Sequence, residues 1–131
     1  MERTITVDGK EVKMRASALI PRLYRFKFGR DMIRDLAQLK KNFEAVTKDM
    51  GDASEDEKKE AQLTVMDLTV FENTAWLMAK HADANIPDEP DEWLQGFEMF
   101  SIYEVLPQIL ELWEGTNRTT AIPKKNEAYG A

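Results

Sequence analysis

Hydrophobic and polar residues alternate from Arg3 to Met14, the period-2 signature of a half-buried strand pair. Asp8-Gly9 falls at the midpoint and supplies the two positive-φ residues that a tight hairpin turn requires. The register so fixed pairs Ile5 with Val12 and Val7 with Lys10. It gathers Ile5, Val7, Val12 and Met14 on one face, against Thr4, Thr6, Glu11 and Lys13 on the other. A lone hairpin is marginal in water, so its apolar face must lie on helices or on another subunit.

Beyond the predicted hairpin (residues 3–14) the period becomes helical. Residues 18–28 hold Leu19, Ile20, Leu23, Tyr24, Phe26 and Phe28, with Pro21 in the first turn and Gly29 as the stop. In residues 31–49, Met32, Leu36, Leu39, Phe43, Val46 and Met50 recur at spacings of 4, 3, 4, 3 and 4, with Ile33 alongside. That stripe is too short for a long coiled coil and predicts packing on the domain's own core. After a polar break, Ser54 and Glu57 form a capping box that opens a long helix, residues 55–82. Between Val65 and Ala79 it is apolar nearly all round, Trp76 included, which predicts the centre of the fold.

Two more helices are expected. One, residues 91–98, is capped by Asp91 and carries Trp93, Leu94 and Phe97. The other, residues 101–114, opens on a Ser101–Glu104 capping box and ends at Gly115. Its expected buried stripe is Ile102, Val105, Leu106, Ile109, Leu110 and Trp113, and Pro107 inside it should bend it. Residues 117–131 are polar and aperiodic, which predicts a flexible tail. The expectation is one globular domain over residues 1–116: mainly α, about five helices with an N-terminal β-hairpin, α+β by strict count.

Composition narrows the function more by exclusion than by suggestion. The 131 residues include no cysteine and one histidine, His81, which excludes thiol chemistry, disulfides and thiolate-bound metals. No apolar run approaches a membrane span, and the first residues are too polar for a signal peptide, so a cytoplasmic setting is expected. The net charge of -6 hides an asymmetry. Residues 1–48 carry twelve Lys and Arg against six Asp and Glu, and residues 49–116 carry three against seventeen. A basic N-terminal third could mark a nucleic-acid site at Arg22, Arg25, Lys27, Arg30 and Arg34. The stronger reading is attraction between the two halves of one domain, or between neighbouring subunits, because the acidic remainder would repel phosphate.

Catalytic patterns are missing. Ser17, Ser54 and Ser101, the chain's three serines, each precede a helical pattern, where a hydroxyl satisfies orphan N–H groups. A Ser-His-Asp arrangement would have to be assembled by the tertiary fold around His81. His81 itself sits near a helix C-terminus, where a partly protonated imidazole suits the dipole. The glycines form no phosphate-cradling loop. The acidic run through Asp83, Asn85, Asp88, Glu89, Asp91 and Glu92 fails the calcium-loop pattern, because Asp88 stands where glycine is required and Leu94 where glutamate is. Trp76, Trp93 and Trp113 fall on apolar stripes, which predicts core positions. No enzyme, no cofactor and no metal are expected.

Two segments carry a resemblance. One is RLYRFKFGRD, Arg22 to Asp31, with Met32, Ile33 and Asp35-Leu36 after it. The other runs from FENTAWLMAKHAD (Phe71 to Asp83) through IPDEPDEWL (Ile86 to Leu94) to FSIYEVLPQILELW (Phe100 to Trp113). With the hairpin, they resemble the tail assembly chaperones of long-tailed, siphovirus-like phages and prophages of Gram-positive bacteria. The likeness implies a non-catalytic protein of the host bacterial cytoplasm, absent from the mature virion. It would bind the tape measure protein, keep it soluble and help recruit tail tube protein, most simply as a homo-oligomer. It implies neither nucleic acid nor membrane as a partner. It also implies a ribosomal slip near Lys124-Lys125, yielding a longer form of the same chain. The family supplies no residue-level binding motif. The expected partner surface is therefore the basic set Arg22, Arg25, Lys27, Arg30 and Arg34 with the apolar Met32, Leu36, Leu39 and Phe43. Alternatives are a structural tail or head-tail protein and a nucleic-acid-binding regulator.

Overall fold

The computed structural model describes residues 1–47 and 63–121, with backbone alone from residue 116 onward. Strands β1 (Glu2–Val7) and β2 (Lys10–Arg15) form an antiparallel hairpin. Five helices follow among the described residues: α1 (Ile20–Phe28), α2 (Met32–Thr47), α3 (Val65–Ala82), α4 (Pro90–Leu94) and α5 (Ile102–Ala121). The domain is mainly helical with an N-terminal hairpin, as the periodicity predicts.

The hairpin has the expected register, with Ile5 opposite Val12 and Val7 opposite Lys10. Asp8 at φ 53° and Gly9 at φ 73° make the turn. Ile5, Val7 and Met14 are buried, and Val12 is half-buried at the rim of the same face. That face rests on α3 beneath β2 and on α5 beneath β1.

Helix α3 is the centre, packed by β2, α1, α2, α4 and α5. It is buried without a break from Thr74 through Ala79, and its last three residues are half-buried. Its first turn is different: Val65, Met66 and Leu68 are exposed, so the helix is not enclosed all round. It also starts late. A helix running unbroken over residues 55–82 is corrected by extended backbone at Thr64. There Thr64 Oγ1 accepts from Asp67 N–H at 3.0 Å while Asp67 Oδ2 accepts from Thr64 N–H at 2.9 Å. This reciprocal box satisfies the orphan donors that end a helix. The expected Ser54–Glu57 box lies outside the described residues, as does Met50.

The other boundaries shift for local reasons. Helix α4 is a short turn, Pro90–Leu94, rather than residues 91–98. Glu89 stands at its N-cap position, without a side-chain cap, and Pro90 takes the first turn. Helix α5 does not stop at Gly115 but continues through Pro107 and Gly115 to Ala121. Gly115 lies against the Met1 side chain, whose sulfur sits 3.0 Å from where a Cβ would stand. Glu104 does not reach back toward Ser101; its Oε1 accepts from Asp8 N–H at 3.1 Å. On α5, Leu112 is buried where Leu110 was expected, and Leu110 is half-buried. The flexible tail expected over residues 117–131 is corrected at its start, where residues 117–121 continue α5, and beyond Ala121 it lies outside the described residues.

Candidate functional site

The segments that carry the resemblance turn out to be joints of the fold. Gly29 closes α1 in the left-handed conformation and turns the chain into α2. Across that turn Arg30 donates to both Asp35 oxygens, from Nε at 2.7 Å and from a terminal nitrogen at 2.9 Å. Tyr24 Oη donates to Asp35 Oδ2 at 3.1 Å. The Arg30 hydrogen bonds hold the Asp35 carboxyl below the usual carboxylate range. Burial, and the Asp35 charge beside it, push the Tyr24 hydroxyl up, so it stays a donor.

A second joint fixes the loop after α3. Trp76 Nε1 donates to Pro87 O at 2.8 Å, and Lys80 Nζ donates to Ala84 O at 2.9 Å and Ile86 O at 2.6 Å. Lys80 also pairs with Asp88, and Lys27 pairs with Glu89 while lying over the Trp76 ring. Asp88 and Glu89 of the acidic loop are thus paired within the domain. Among the described residues no group of three or more His, Cys, Asp or Glu side chains converges as metal ligands would. Nor, among those residues, is any helix long and apolar enough to cross a membrane.

The fold does bring Ser17 to His81, a pairing that the sequence spacing conceals. Ser17 Oγ and His81 Nε2 lie 3.1 Å apart, and the same Oγ accepts from Leu19 N–H at 3.2 Å. The charges acting on the ring are those of Arg15 and the Met1 nitrogen. Together with burial, the largest influence, they lower its pKa below the ordinary 6.5. This corrects the expectation of a partly protonated imidazole. In a Ser-His-Asp arrangement a carboxylate stabilises the imidazolium, whereas Arg15 opposes it. The pair acts as a latch between the end of α3 and the β2–α1 connection.

The expected partner-binding residues divide three ways. Phe43, 8% exposed, keeps an edge at the surface between α2 and α5, but Met32, Leu36 and Leu39 lie in the core, between 0% and 3% exposed, and a partner could not meet them without opening the domain. This corrects their place on the expected partner surface: the hydrophobic stripe that drew attention to them is what buries them. Lys27 and Arg30 are engaged with Glu89 and Asp35. Arg22, Arg25 and Arg34 are exposed, and Arg22 stacks over the ring of Phe26, 4.9 Å from its centroid. The charge halves do meet within the domain: Arg3 pairs with Glu111, Lys27 with Glu89 and Lys40 with Glu114.

What the sequence did not single out is the apolar surface. Phe26 is 70% exposed, Val65 82%, Met99 67%, Ile33 58% and Tyr103 55%. Between α2 and α5 lies a shallow open groove of about 330 Å³. Phe43, Pro107 and Leu110 give it an apolar lining, and Lys40, Glu44, Glu111 and Glu114 charge it. Tyr103, one turn from Pro107 on α5, stacks on Phe43 with centroids 5.8 Å apart. Pro107 has no N–H to offer the Tyr103 carbonyl, so that acceptor has no helical partner. The geometry suits a helix laid into a groove more than a small molecule, which would need enclosure.

Compared with models of protein families, with curated proteins and with solved structures, the chain matches none.

Proposed function

We propose that the protein is a non-catalytic tail assembly chaperone of a long-tailed phage or prophage. Its client is the tape measure protein, a long helical chain prone to aggregation until tail tube protein polymerises around it. The observation that carries this is the set of large apolar side chains held in water, Phe26, Ile33, Val65, Met99 and Tyr103 among them. Tyr103 among them lies against Phe43, which lines the α2–α5 groove, and covering such side chains with a partner removes apolar surface from water. The α2–α5 groove, with both signs of charge at its edges, offers a helix a place to dock. The string of segments that resembles the family supplies the identity of the client.

On this reading the protein works in the host bacterial cytoplasm and is left out of the finished virion. A longer form, made by a slip at Lys124-Lys125, would add a second binding module. An A-rich heptamer at those codons with an open -1 frame is then required in the gene.

Co-expression tests the proposal. The long helical product encoded downstream is expressed alone and with this chain, and its soluble fraction is measured. The expected result is a client that pellets alone and co-elutes with the chain when both are made. A client equally insoluble in both cases would contradict it. A protein that remains in purified virions would instead be a structural tail component.

A further inference from the structure

The hairpin has two edges, and the fold treats them differently. Met1 and Ala16 exchange both backbone hydrogen bonds at 2.8 Å, which sets the alternation along the ladder. Arg3, Ile5 and Val7 therefore bond inward, to Met14, Val12 and Lys10. Glu2, Thr4 and Thr6 on β1, and Glu11, Lys13 and Arg15 on β2, turn their backbone groups outward. Along β1 that edge is held at Thr6, whose N–H and C=O both bond the Gln108 side chain. Glu104 and Glu111, about one turn to either side on α5, take the Asp8 N–H and the Arg3 side chain. Along β2, no group among the described residues takes the outward N–H and C=O of Glu11, Lys13 and Arg15, and all three residues are exposed.

We propose that the β2 edge pairs with the β2 edge of a second copy, antiparallel, about a two-fold axis at Val12. The choice of occupant rests on charge. In this register Glu11 lies opposite the partner's Lys13, and Lys13 opposite the partner's Glu11, two favourable cross-strand pairs. Sliding by one pair either way sets Glu11 against Glu11 or Lys13 against Lys13. An odd slip turns one copy's apolar face to water. A lysine on an edge ordinarily guards against strand addition. Here Glu11 neutralises it in one register and for one partner, an identical strand. The half-buried Val12 meets its own copy and is covered. The product is a four-stranded sheet with both helical layers on one side, closed by its symmetry. The inference stands apart from the tape measure reading.

Sedimentation of the full chain tests it by charge exchange. Wild type is expected as a dimer. Glu11→Lys alone and Lys13→Glu alone place like charges across the seam, and each should sediment as a monomer that keeps the wild-type circular dichroism spectrum, since both positions are exposed. Mixing the two variants restores opposite charges at every pair and should return a dimer. A second readout is covalent. The chain has no cysteine, so Val12→Cys provides a lone thiol in a non-hydrogen-bonded pair, where Cα atoms lie about 4.5 Å apart. It should oxidise to a disulfide dimer under conditions that leave Thr4→Cys reduced. A wild-type monomer at every concentration, an assembly of any size that the single variants leave intact, or a mixture that stays monomeric would overturn the proposal.

Discussion

Gln108 stands beside Thr6 as a neighbouring strand would. Its Oε1 accepts the Thr6 N–H at 3.4 Å, and its Nε2 donates to the Thr6 carbonyl at 3.3 Å, from a helix 102 residues away in sequence. One side-chain amide thus replaces one peptide unit, and β1 is closed to strand addition at that point. Removing it as Gln108→Ala should cost about 1 kcal/mol of local protection, the usual net worth of such bonds. Amide hydrogen exchange reads this directly. Thr6 should exchange faster while Val7, bonded inward, should not. Equal protection at Thr6 in both proteins would mean that the amide does not hold the edge.

Trp76 combines burial with a hydrogen bond to Pro87 O, so two substitutions separate its roles. Trp76→Ala should lose roughly 3–5 kcal/mol in a urea titration, the range for a buried large aromatic. Trp76→Phe keeps an aromatic ring and surrenders the N–H, so its loss should be clearly smaller. A Trp76→Ala protein that melts with wild type would remove α3 from the centre of the fold.

Thr74 sits fully buried on α3, and its hydroxyl oxygen meets no hydrogen-bond partner among the described residues. An unsatisfied buried polar group costs about 1–3 kcal/mol, so Thr74→Val, which keeps the branched shape, should stabilise by about 1 kcal/mol or more. The midpoint of urea unfolding checks the sign. A destabilised variant would place a partner on that hydroxyl.

The sequence made the local devices legible. Asp8-Gly9 fixes a turn, the turn fixes the register, and Met32, Leu36, Leu39 and Phe43 announce a buried helix face. It misled where a residue answers to a distant partner. Gly115 reads as a stop because glycine favours helix ends, yet its neighbour is Met1. Glu104 reads as half of a capping box, yet it serves the hairpin turn. The Thr64–Asp67 box was readable and obeys the same rule as the Ser54–Glu57 box. Apolarity alone predicted burial for Val65, and apolarity cannot tell a core face from a docking face. The candidate surface was therefore the least legible part.

His81 gives stability a defined pH dependence. Its folded pKa lies below 6.5, the ordinary value it regains on unfolding. The unfolded chain then binds more protons as pH falls through that value, so stability must decrease below about pH 6.5 and level off once the folded pKa is passed. His81→Gln should remove this slope between neutral pH and about pH 5, leaving the carboxylates to act at lower pH. Because His81 is the one histidine in the chain, the difference between the two profiles is its own. A wild-type profile flat across that window would show that Arg15 and burial do not act on the ring.

The central claim is that a helical client is held on exposed apolar side chains and not on the basic residues of α1. Calorimetric titration of the chain with a helical segment of the tape measure protein, at several temperatures and at two salt concentrations about tenfold apart, tests it most directly. The account predicts binding with a negative heat-capacity change and an affinity that varies by less than about threefold with salt. The absence of binding would contradict it. So would an affinity that collapses by orders of magnitude with salt, as phosphate-like electrostatic binding does.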